Sequence, residues 1–208
     1  ERPVNFANSV VPLFTKHGCN SGGCHGKSTG QNGFKLSLLG FEPQEDYEYL
    51  LREARGRRIF PAAPERSLLL LKATGQLPHG GGSRIAADSF DYRMLVKWIR
   101  QGMPYGKPND PKLDSITVHP VERIMKPSAR QQLVVLARMS DGSIEDVTHS
   151  AVYEVNDSEY ADADNTGLVT VGSHSGEIAV MVRYQDKATV FRASIPLGAP
   201  IDKLPEEK

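Results

Sequence analysis

The hydrophobic pattern of this chain changes its period once, at a short linker near the middle of the sequence. Before the linker, apolar residues recur three and four positions apart, which is the spacing of one helix face. After it, they come in short β-branched runs separated by turn residues, which is typical of strands. Residues 106–111 of the linker are rich in proline and polar side chains. The 208-residue chain is therefore predicted to fold as two domains, one mainly α and one all-β.

The first half carries signals for four helices connected by long loops. Pro12 is expected to kink the first helix and Gly18 to end it. Residues 22–33 contain five glycines and are predicted to form a loop. The predicted helices cover residues 5–15, 43–54, 67–73 and a last segment that begins at an Asp88 or Ser89 cap and ends at Gly102 and Pro104.

The second half is predicted to form an antiparallel sandwich of about seven strands. Turn signals such as Asp141-Gly142 and Ser175-Gly176 separate its apolar runs at regular intervals. These runs cover residues 116–118, 133–137, 151–155, 168–171, 178–182 and 189–195.

Charge and hydropathy exclude several classes of function. No apolar run approaches the roughly 20 residues that a membrane-spanning helix needs. The formal net charge is zero, but residues 1–112 carry +6 and the remainder −6. This asymmetry favours two units with different roles. The basic excess is modest and lacks interleaved aromatic residues, so the sequence gives no indication of nucleic-acid binding.

Both cysteines lie in the nine-residue stretch 17–25, HGCNSGGCH. A disulfide that stabilises a fold usually closes a much longer loop than the one between Cys19 and Cys24. A c-type haem is attached by two cysteines and ligated by the histidine that follows the second one, usually with two residues between the cysteines. Here the gap is four residues, and Cys24-His25 keeps the adjacent pair. The two extra residues are expected to bulge out, and Gly22-Gly23 are expected to supply the backbone angles that such a bulge needs.

The motifs of the first half resemble those of the planctomycete cytochrome c family, in the branch with the longer Cys-x4-Cys-His spacing. The resemblance covers residues 5–105 and implies one covalently attached haem c, with His25 as an axial ligand. The matching segments are VPLF (11–14), GCN (18–20), GCHG (23–26), GFKLSL (33–38), RR (57–58), PERSLL (64–69), PHGG (78–81) and WIRQG (98–102).

The motifs of the second half are similar to those of the group 2 bacterial immunoglobulin-like domain. They are SDGS (140–143), DVT (146–148) and GLVT (167–170), followed by Gly176. The predicted domains are a mono-haem cytochrome over residues 1–112 and an immunoglobulin-like sandwich over residues 113–198. Residues 199–208 are expected to form a flexible tail.

The second axial ligand is predicted to be His79. In cytochromes of this kind, the resemblance places a Met-Pro ligand before the last helix, where this chain has LPHGGG (77–82). Met103, in Gly102-Met103-Pro104, is the second candidate, and an open or water-filled position is the third. Two imidazoles give a lower reduction potential than Met/His ligation.

Three arginines are candidates for holding the anionic haem propionates, namely Arg57, Arg58 and Arg84. For each of them, an ordinary solvated position is an equally good interpretation. Trp98 either packs against the haem edge or belongs to the core, and a lone tryptophan at helical spacing is more often in the core.

Other interpretations of the cysteine–histidine stretch remain open. The cysteines could form a local disulfide in an exported binding or structural protein. His17, Cys19, Cys24 and His25 are four zinc-ligand types, although such a site would be cramped. An open iron position would favour a gas sensor or a peroxidase.

The function predicted from the sequence is electron transfer by a cytochrome module that is periplasmic or otherwise exported. No enzymatic activity of its own is expected, although it could be part of a larger redox enzyme chain. Attachment of haem to cysteine needs reduced thiols and export. The basic first half is suited to an acidic redox protein as partner. The sequence leaves the oligomeric state open, a homodimer included.

Overall fold

The computed structural model describes residues 3–26 and 29–198, which divide into two compact units. The first takes in the chain up to Asp114, and the second contains most of the chain from Ser115 onward. The predicted domain limits at residues 112 and 113 stay predictions. The predicted tail over residues 199–208 lies outside the described residues.

The first unit is built from four α-helices joined by long loops, as the periodicity predicts. None of the helices in the described ranges is long and apolar enough to cross a membrane. The helix predicted over residues 43–54 ends earlier, because Ala54 and Arg55 adopt positive φ angles of 51° and 61° in a 3-10 turn, Glu53–Gly56. The helices are α1 (Val11–Lys16), α2 (Pro43–Leu51), α3 (Leu68–Ala73) and α4 (Phe90–Arg100).

A wider turn precedes α1 and accommodates its proline. Asn5 caps a π-helical turn, Phe6–Val10, by accepting a hydrogen bond from the Asn8 backbone. Pro12 lies in the first turn of α1, where a missing N–H costs least. The predicted kink is therefore a change of helix type just before the proline.

Aromatic rings fill the core of the first unit. Phe6 and Trp98 are fully buried, and their ring centroids are 5.3 Å apart. Tyr47 and Tyr105 pack against Phe6 at 5.2 and 6.1 Å. The Trp98 indole N–H donates to the Pro104 carbonyl at 3.0 Å, which joins α4 to the segment that follows it. This core holds the π-helical turn Phe6–Val10 against α2 and α4.

The second unit is a β-sandwich of the immunoglobulin type, and its longer strands bury one face. Along β9, Ile178, Val180 and Val182 are buried, and the residues between them are more exposed. The strands are β1 (Leu113–His119), β2 (Glu122–Ile124), β3 (Arg130–Gln132), β4 (Val134–Met139), β5 (Ile144–Asp146), β6 (Val152–Val155), β7 (Ala161–Ala163), β8 (Leu168–Val171), β9 (Gly176–Tyr184) and β10 (Lys187–Ile195).

The described residues thus contain ten strands, and the prediction of about seven was wrong. The four strands that were missed, β2, β3, β5 and β7, have three residues each, too few to show an alternating pattern. The sheets have the orders β1-β4-β5, β2-β10-β9-β6 and β3-β8-β7. The pairs β3–β8, β6–β9 and β7–β8 are antiparallel, as predicted, but β2 runs parallel to β10.

Replacing Leu95 tests the core of the first unit. Leu95 is fully buried in α4, so Leu95→Ala should lower the free energy of unfolding by about 2–5 kcal/mol. Urea unfolding followed by the fluorescence of Trp98, the single tryptophan of the chain, measures this change. Leu38 is 54% exposed, and Leu38→Ala should change the same value by less than about 0.5 kcal/mol. Equal effects of the two substitutions would contradict the packing described.

Candidate functional site

A cavity of about 890 Å³ lies in the first unit, within the size range of small-molecule sites. Both cysteines line it, together with His25 and His79. Its apolar lining includes Phe14, Phe34, Leu36, Leu68, Leu69 and Ala73. The structure thus brings together the four side chains that the sequence singled out for a cofactor.

The end of α1 delivers Cys19 to this cavity. Gly18 has φ +67°, and its N–H donates to the Thr15 carbonyl at 3.0 Å. The Cys19 N–H donates to the Phe14 carbonyl at 2.8 Å, which completes a Schellman motif. The predicted stop at Gly18 is confirmed, and the first cysteine directly follows this glycine.

A compact turn carries the chain from Cys19 to His25. The His25 N–H donates to the Cys19 carbonyl at 2.9 Å, and the Cys24 N–H donates to the Ser21 carbonyl at 3.0 Å. Gly26 is the glycine that this turn requires, because a Cβ there would lie 2.0 Å from the Asn20 carbonyl oxygen.

The prediction for Gly22-Gly23 was wrong. Both glycines are exposed and outside the positive-φ region, and a Cβ on either would meet nothing within 4 Å. The two extra residues between the cysteines are therefore accommodated by an ordinary turn, which backbone hydrogen bonds close.

Both cysteines are free thiols. Burial raises the pKa of the Cys19 thiol to about 11, and the nearby Cys24 adds to the rise. Arg84 acts in the opposite direction but more weakly. The Cys19 sulfur is therefore held as a neutral thiol, and it packs against the core of the unit.

A backbone carbonyl orients His25. Its Nδ1 lies 2.8 Å from the Phe34 carbonyl oxygen, and its ring lies 4.6 Å from the Phe34 ring. A carbonyl can only accept, so Nδ1 carries the proton and Nε2 keeps the lone pair. Gly30, at φ +62°, lets the chain pass close to this carbonyl, because a Cβ there would lie 2.1 Å from the same oxygen.

His79 is oriented in the same way, by the turn in which it lies. Its Nδ1 is 2.9 Å from the Gly82 carbonyl oxygen, and the Gly82 N–H donates to the His79 carbonyl at 2.9 Å. The Lys72 ammonium donates to the Pro78 carbonyl at 2.7 Å, which ties the turn to α3. His79 therefore also keeps its lone pair on Nε2.

The imidazole rings of His25 and His79 lie nearly parallel to each other in the cavity. Their ring centroids are 6.3 Å apart, and their planes differ by 8°. Each ring arrives from a different loop, and each is fixed by its own carbonyl. The arrangement presents two similar nitrogen ligands of parallel orientation.

The three predicted propionate arginines all line the cavity but differ in environment. Arg57 and Arg84 are exposed at its rim. Arg58 is only 5% exposed, and its guanidinium donates to the backbone carbonyls of Tyr49, Glu53 and Gly33. Arg57 and Arg84 are thus available to an anionic ligand, whereas Arg58 is mostly committed to the protein itself.

The alternative ligand and the tryptophan lie elsewhere. Met103 packs against the hydrophobic core, and its carbonyl accepts from the Tyr47 hydroxyl at 2.6 Å. Neither Met103 nor Trp98 lines the cavity. Trp98 is fully buried in the core, which is the ordinary interpretation that the sequence analysis gave for it.

His17 belongs to a buried ion-pair cluster and not to a metal site. Its Nε2 lies 2.8 Å from the Asp91 carboxylate, which also accepts from the Lys16 ammonium at 2.9 Å. Over residues 3–26 and 29–198, no group of three or more His, Cys, Asp or Glu side chains is arranged to hold a metal ion. The four-ligand zinc interpretation was therefore wrong.

Sequence reasoning missed the residues that hold the ligands in place. Phe34 and Gly82 act through their backbone carbonyls, which no side-chain pattern reveals. Asp91 was assigned only to a helix, although its place in the first turn of α4 favours a role as an anchor for cations. Gly26 and Gly30 were counted as loop glycines, and their close backbone contacts depend on the tertiary fold.

Comparison with known proteins identifies the second half of the chain. Residues 112–191 match the bacterial Ig-like domain (group 2). This match confirms the immunoglobulin-like prediction, whereas the cytochrome resemblance of residues 5–105 stays a prediction. No curated protein matches the sequence.

The solved structures similar to this chain include those of S-layer proteins. A crystal structure of rSbsC(31–844) and a structure of SbsC domains 5–6 each show 16% identity, a TM-score of 0.37 and coverage of 44% of this chain. This chain spans 14% and 47% of their lengths, respectively, so it corresponds to less than half of either.

Because of Asp91, the free energy of unfolding of the first unit should fall at acid pH. Burial alone would raise the pKa of this carboxyl, but the hydrogen bonds and charges of His17 and Lys16 hold it below its usual 3.8. Its stabilising effect is therefore present above pH 3.8 and is lost as the pH falls toward the lower value of the folded protein. Asp91→Asn should lower the free energy of unfolding at pH 7 by about 3–5 kcal/mol.

Urea unfolding at pH 7, 5 and 3 measures this dependence. The difference in free energy of unfolding between wild type and Asp91→Asn should be smaller at pH 3 than at pH 7. Glu48 pairs with Arg52 at an exposed position, and Glu48→Gln should cost less than about 0.5 kcal/mol throughout. A difference for Asp91→Asn that is constant from pH 7 to 3 would contradict the ion-pair interpretation.

Proposed function

We propose that this chain is an exported mono-haem c-type cytochrome module for electron transfer. Cys19 and Cys24 would hold the haem by thioether bonds, and His25 and His79 would ligate its iron. The observation that carries the proposal is the placement of the two imidazoles in one cavity with both thiols.

The separation of the two rings fits a single iron atom between them. Imidazole nitrogen binds a first-row metal at about 2.0 Å, and each nitrogen lies about 1.15 Å from its own ring centre. Two rings whose Nε2 atoms faced each other across one iron would therefore have centroids about 6.3 Å apart. The separation of His25 and His79 is 6.3 Å.

The hydrogen bonds of the two histidines also favour ligation. Ligating histidines usually donate their other ring N–H to a carbonyl or carboxylate, which fixes the tautomer and makes the ligand more basic. Both Nδ1 atoms lie within hydrogen-bond distance of backbone carbonyls, at 2.8 and 2.9 Å. The donor set fits haem iron on both sides.

The same arrangement argues against the enzymatic alternatives. A haem supplies a one-electron couple when it is bound. With His79 on the second side, exogenous oxygen or peroxide would meet a closed position. The described lining of the cavity also contains no Asp or Glu that would act as a distal acid or base. Electron transfer is therefore favoured over gas sensing and peroxidase chemistry.

The rim of the cavity suits an acidic partner. Arg57 and Arg84 are exposed there, and Lys72 also lines it. These cations would hold the haem propionates or face a negatively charged redox protein. Such an attraction raises the association rate and weakens with salt.

We place the protein outside the cytoplasm, specifically in the periplasm. Covalent attachment to Cys19 and Cys24 needs reduced thiols and an export route. The match of residues 112–191 to a bacterial Ig-like domain favours an exported or cell-surface protein. We propose that this half serves as a spacer or docking platform.

The visible spectrum tests the cofactor directly. Protein made in a host with c-type maturation machinery should show a Soret band and sharp low-spin bands on reduction. The haem should stay with the chain in denaturant, and mass spectrometry should find one haem per chain. A colourless protein, from a host shown to mature another cytochrome, would leave a binding module with a Cys19–Cys24 disulfide, which lacks two hydrogens in mass.

Paired substitutions test the second ligand. His79→Ala should open the iron to carbon monoxide or cyanide and produce a high-spin component, because the described lining contains no methionine and no further histidine to replace it. Met103→Ala should leave the low-spin spectrum unchanged, since Met103 lies in the core. Carbon monoxide binding by Met103→Ala, and not by His79→Ala, would assign the sixth position to Met103.

A further inference from the structure

The buried guanidinium of Arg58 is connected to His25 through Phe34. The Arg58 guanidinium carbon lies 4.6 Å from the centre of the Phe34 ring, and the Phe34 ring lies 4.6 Å from the His25 ring. The carbonyl of the same phenylalanine accepts the bond from His25 Nδ1. Phe34 therefore contacts the histidine through both its ring and its backbone.

Arg58 also holds the backbone of the loop that carries Phe34. One of its terminal nitrogens donates to the Gly33 carbonyl at 2.6 Å, directly before Phe34. The other terminal nitrogen donates to the Tyr49 and Glu53 carbonyls at 2.7 and 3.0 Å. A guanidinium reaches three carbonyls at once because it is a planar fork, which an ammonium does not reproduce.

These contacts differ from those of a side chain that only holds a propionate. Burying a guanidinium is costly unless its donors are satisfied, and three of the five donors of Arg58 are directed at the protein backbone. They join the end of α2 to the loop around Phe34. The cation over the Phe34 ring is also attracted to the face of that ring, and more strongly where water is excluded.

We propose that Arg58 is a positioning residue for His25, which fixes the ring plane and the Nδ1–H tautomer of that ligand through Phe34. This proposal rests on the proposed function for the statement that His25 ligates iron. The tautomer of His25 is set by the protein itself, without any cofactor. Arg57, the neighbouring arginine at the rim, has no such role.

The first test uses protein made without haem maturation. Long-range ¹H–¹⁵N spectra report which ring nitrogen of a histidine is protonated, and His25→Gln identifies the signals of His25. Wild type and Arg57→Gln should show the Nδ1–H form. Arg58→Gln should show a mixture in which Nε2–H predominates, as in unrestrained imidazole, while Trp98 fluorescence stays native.

The second test uses the haem-loaded protein. Near-parallel axial rings give a rhombic ferric electron paramagnetic resonance spectrum with three resolved g values, which Arg58→Gln should broaden. A weaker bond at Nδ1 makes the imidazole a poorer donor, so the equilibrium should shift about tenfold toward the reduced form, about 59 mV for one electron. Arg52→Gln, at an exposed arginine that does not line the cavity, should change neither measurement.

The outcomes separate this proposal from the cofactor assignment. A folded Arg58→Gln that keeps the Nδ1–H tautomer, the g values and the potential would overturn the role of Arg58. If Arg58→Gln does not fold, Arg58→Lys and Phe34→Leu carry the same measurements, and unchanged results in both would overturn it equally. A colourless wild type with a tautomer change in Arg58→Gln would support Arg58 and reject only the haem proposal.

Discussion

The carboxylate of Asp91 ties the end of α1 to the beginning of α4, and the location of the cysteine–histidine segment follows from that bond. Lys16 and His17, the last residue of α1 and its cap, both contact the same carboxylate oxygen. The three side chains are only 6, 10 and 7% exposed, so solvent screens them little. Two residues later the chain reaches Cys19. This ion pair therefore fixes the position at which the cysteine–histidine loop leaves α1.

Much of the fold could be predicted because the chain signals its elements locally. The apolar period, the Ser89 cap and the Gly18 stop indicate helices and their limits in the first half. In the second half, short β-branched runs and turn residues indicate a sandwich. The three-residue strands could not be found, since their pairing depends on partners far away in sequence. The parallel pairing of β2 with β10 is likewise a property of the folded chain.

In the candidate site, the side chains could be predicted from the sequence, whereas the backbone groups that hold them could not. Cys19, Cys24 and His25 were predicted from their motif and its family resemblance. His79 was predicted from the place that the resemblance gives to the second ligand, and one cavity contains all four. Their supports were not predicted, because the Phe34 and Gly82 carbonyls belong to groups that every residue possesses. The prediction that Gly22-Gly23 supply special backbone angles failed because such a requirement also depends on the folded backbone. Which glycine a loop needs depends on how near another segment passes. Gly26 and Gly30 have a close backbone neighbour, whereas Gly22 and Gly23 have none.

Under the proposed function, the short turn from His79 to Gly82 would affect the speed of electron exchange. It is closed by two hydrogen bonds of its own and is tied to α3 through Lys72, so the imidazole has little freedom to swing. On the opposite side, His25 is held as tightly by a carbonyl. A centre whose ligands keep their positions in both oxidation states has a small reorganisation energy. Such a centre can donate and accept electrons rapidly even when the driving force is slight.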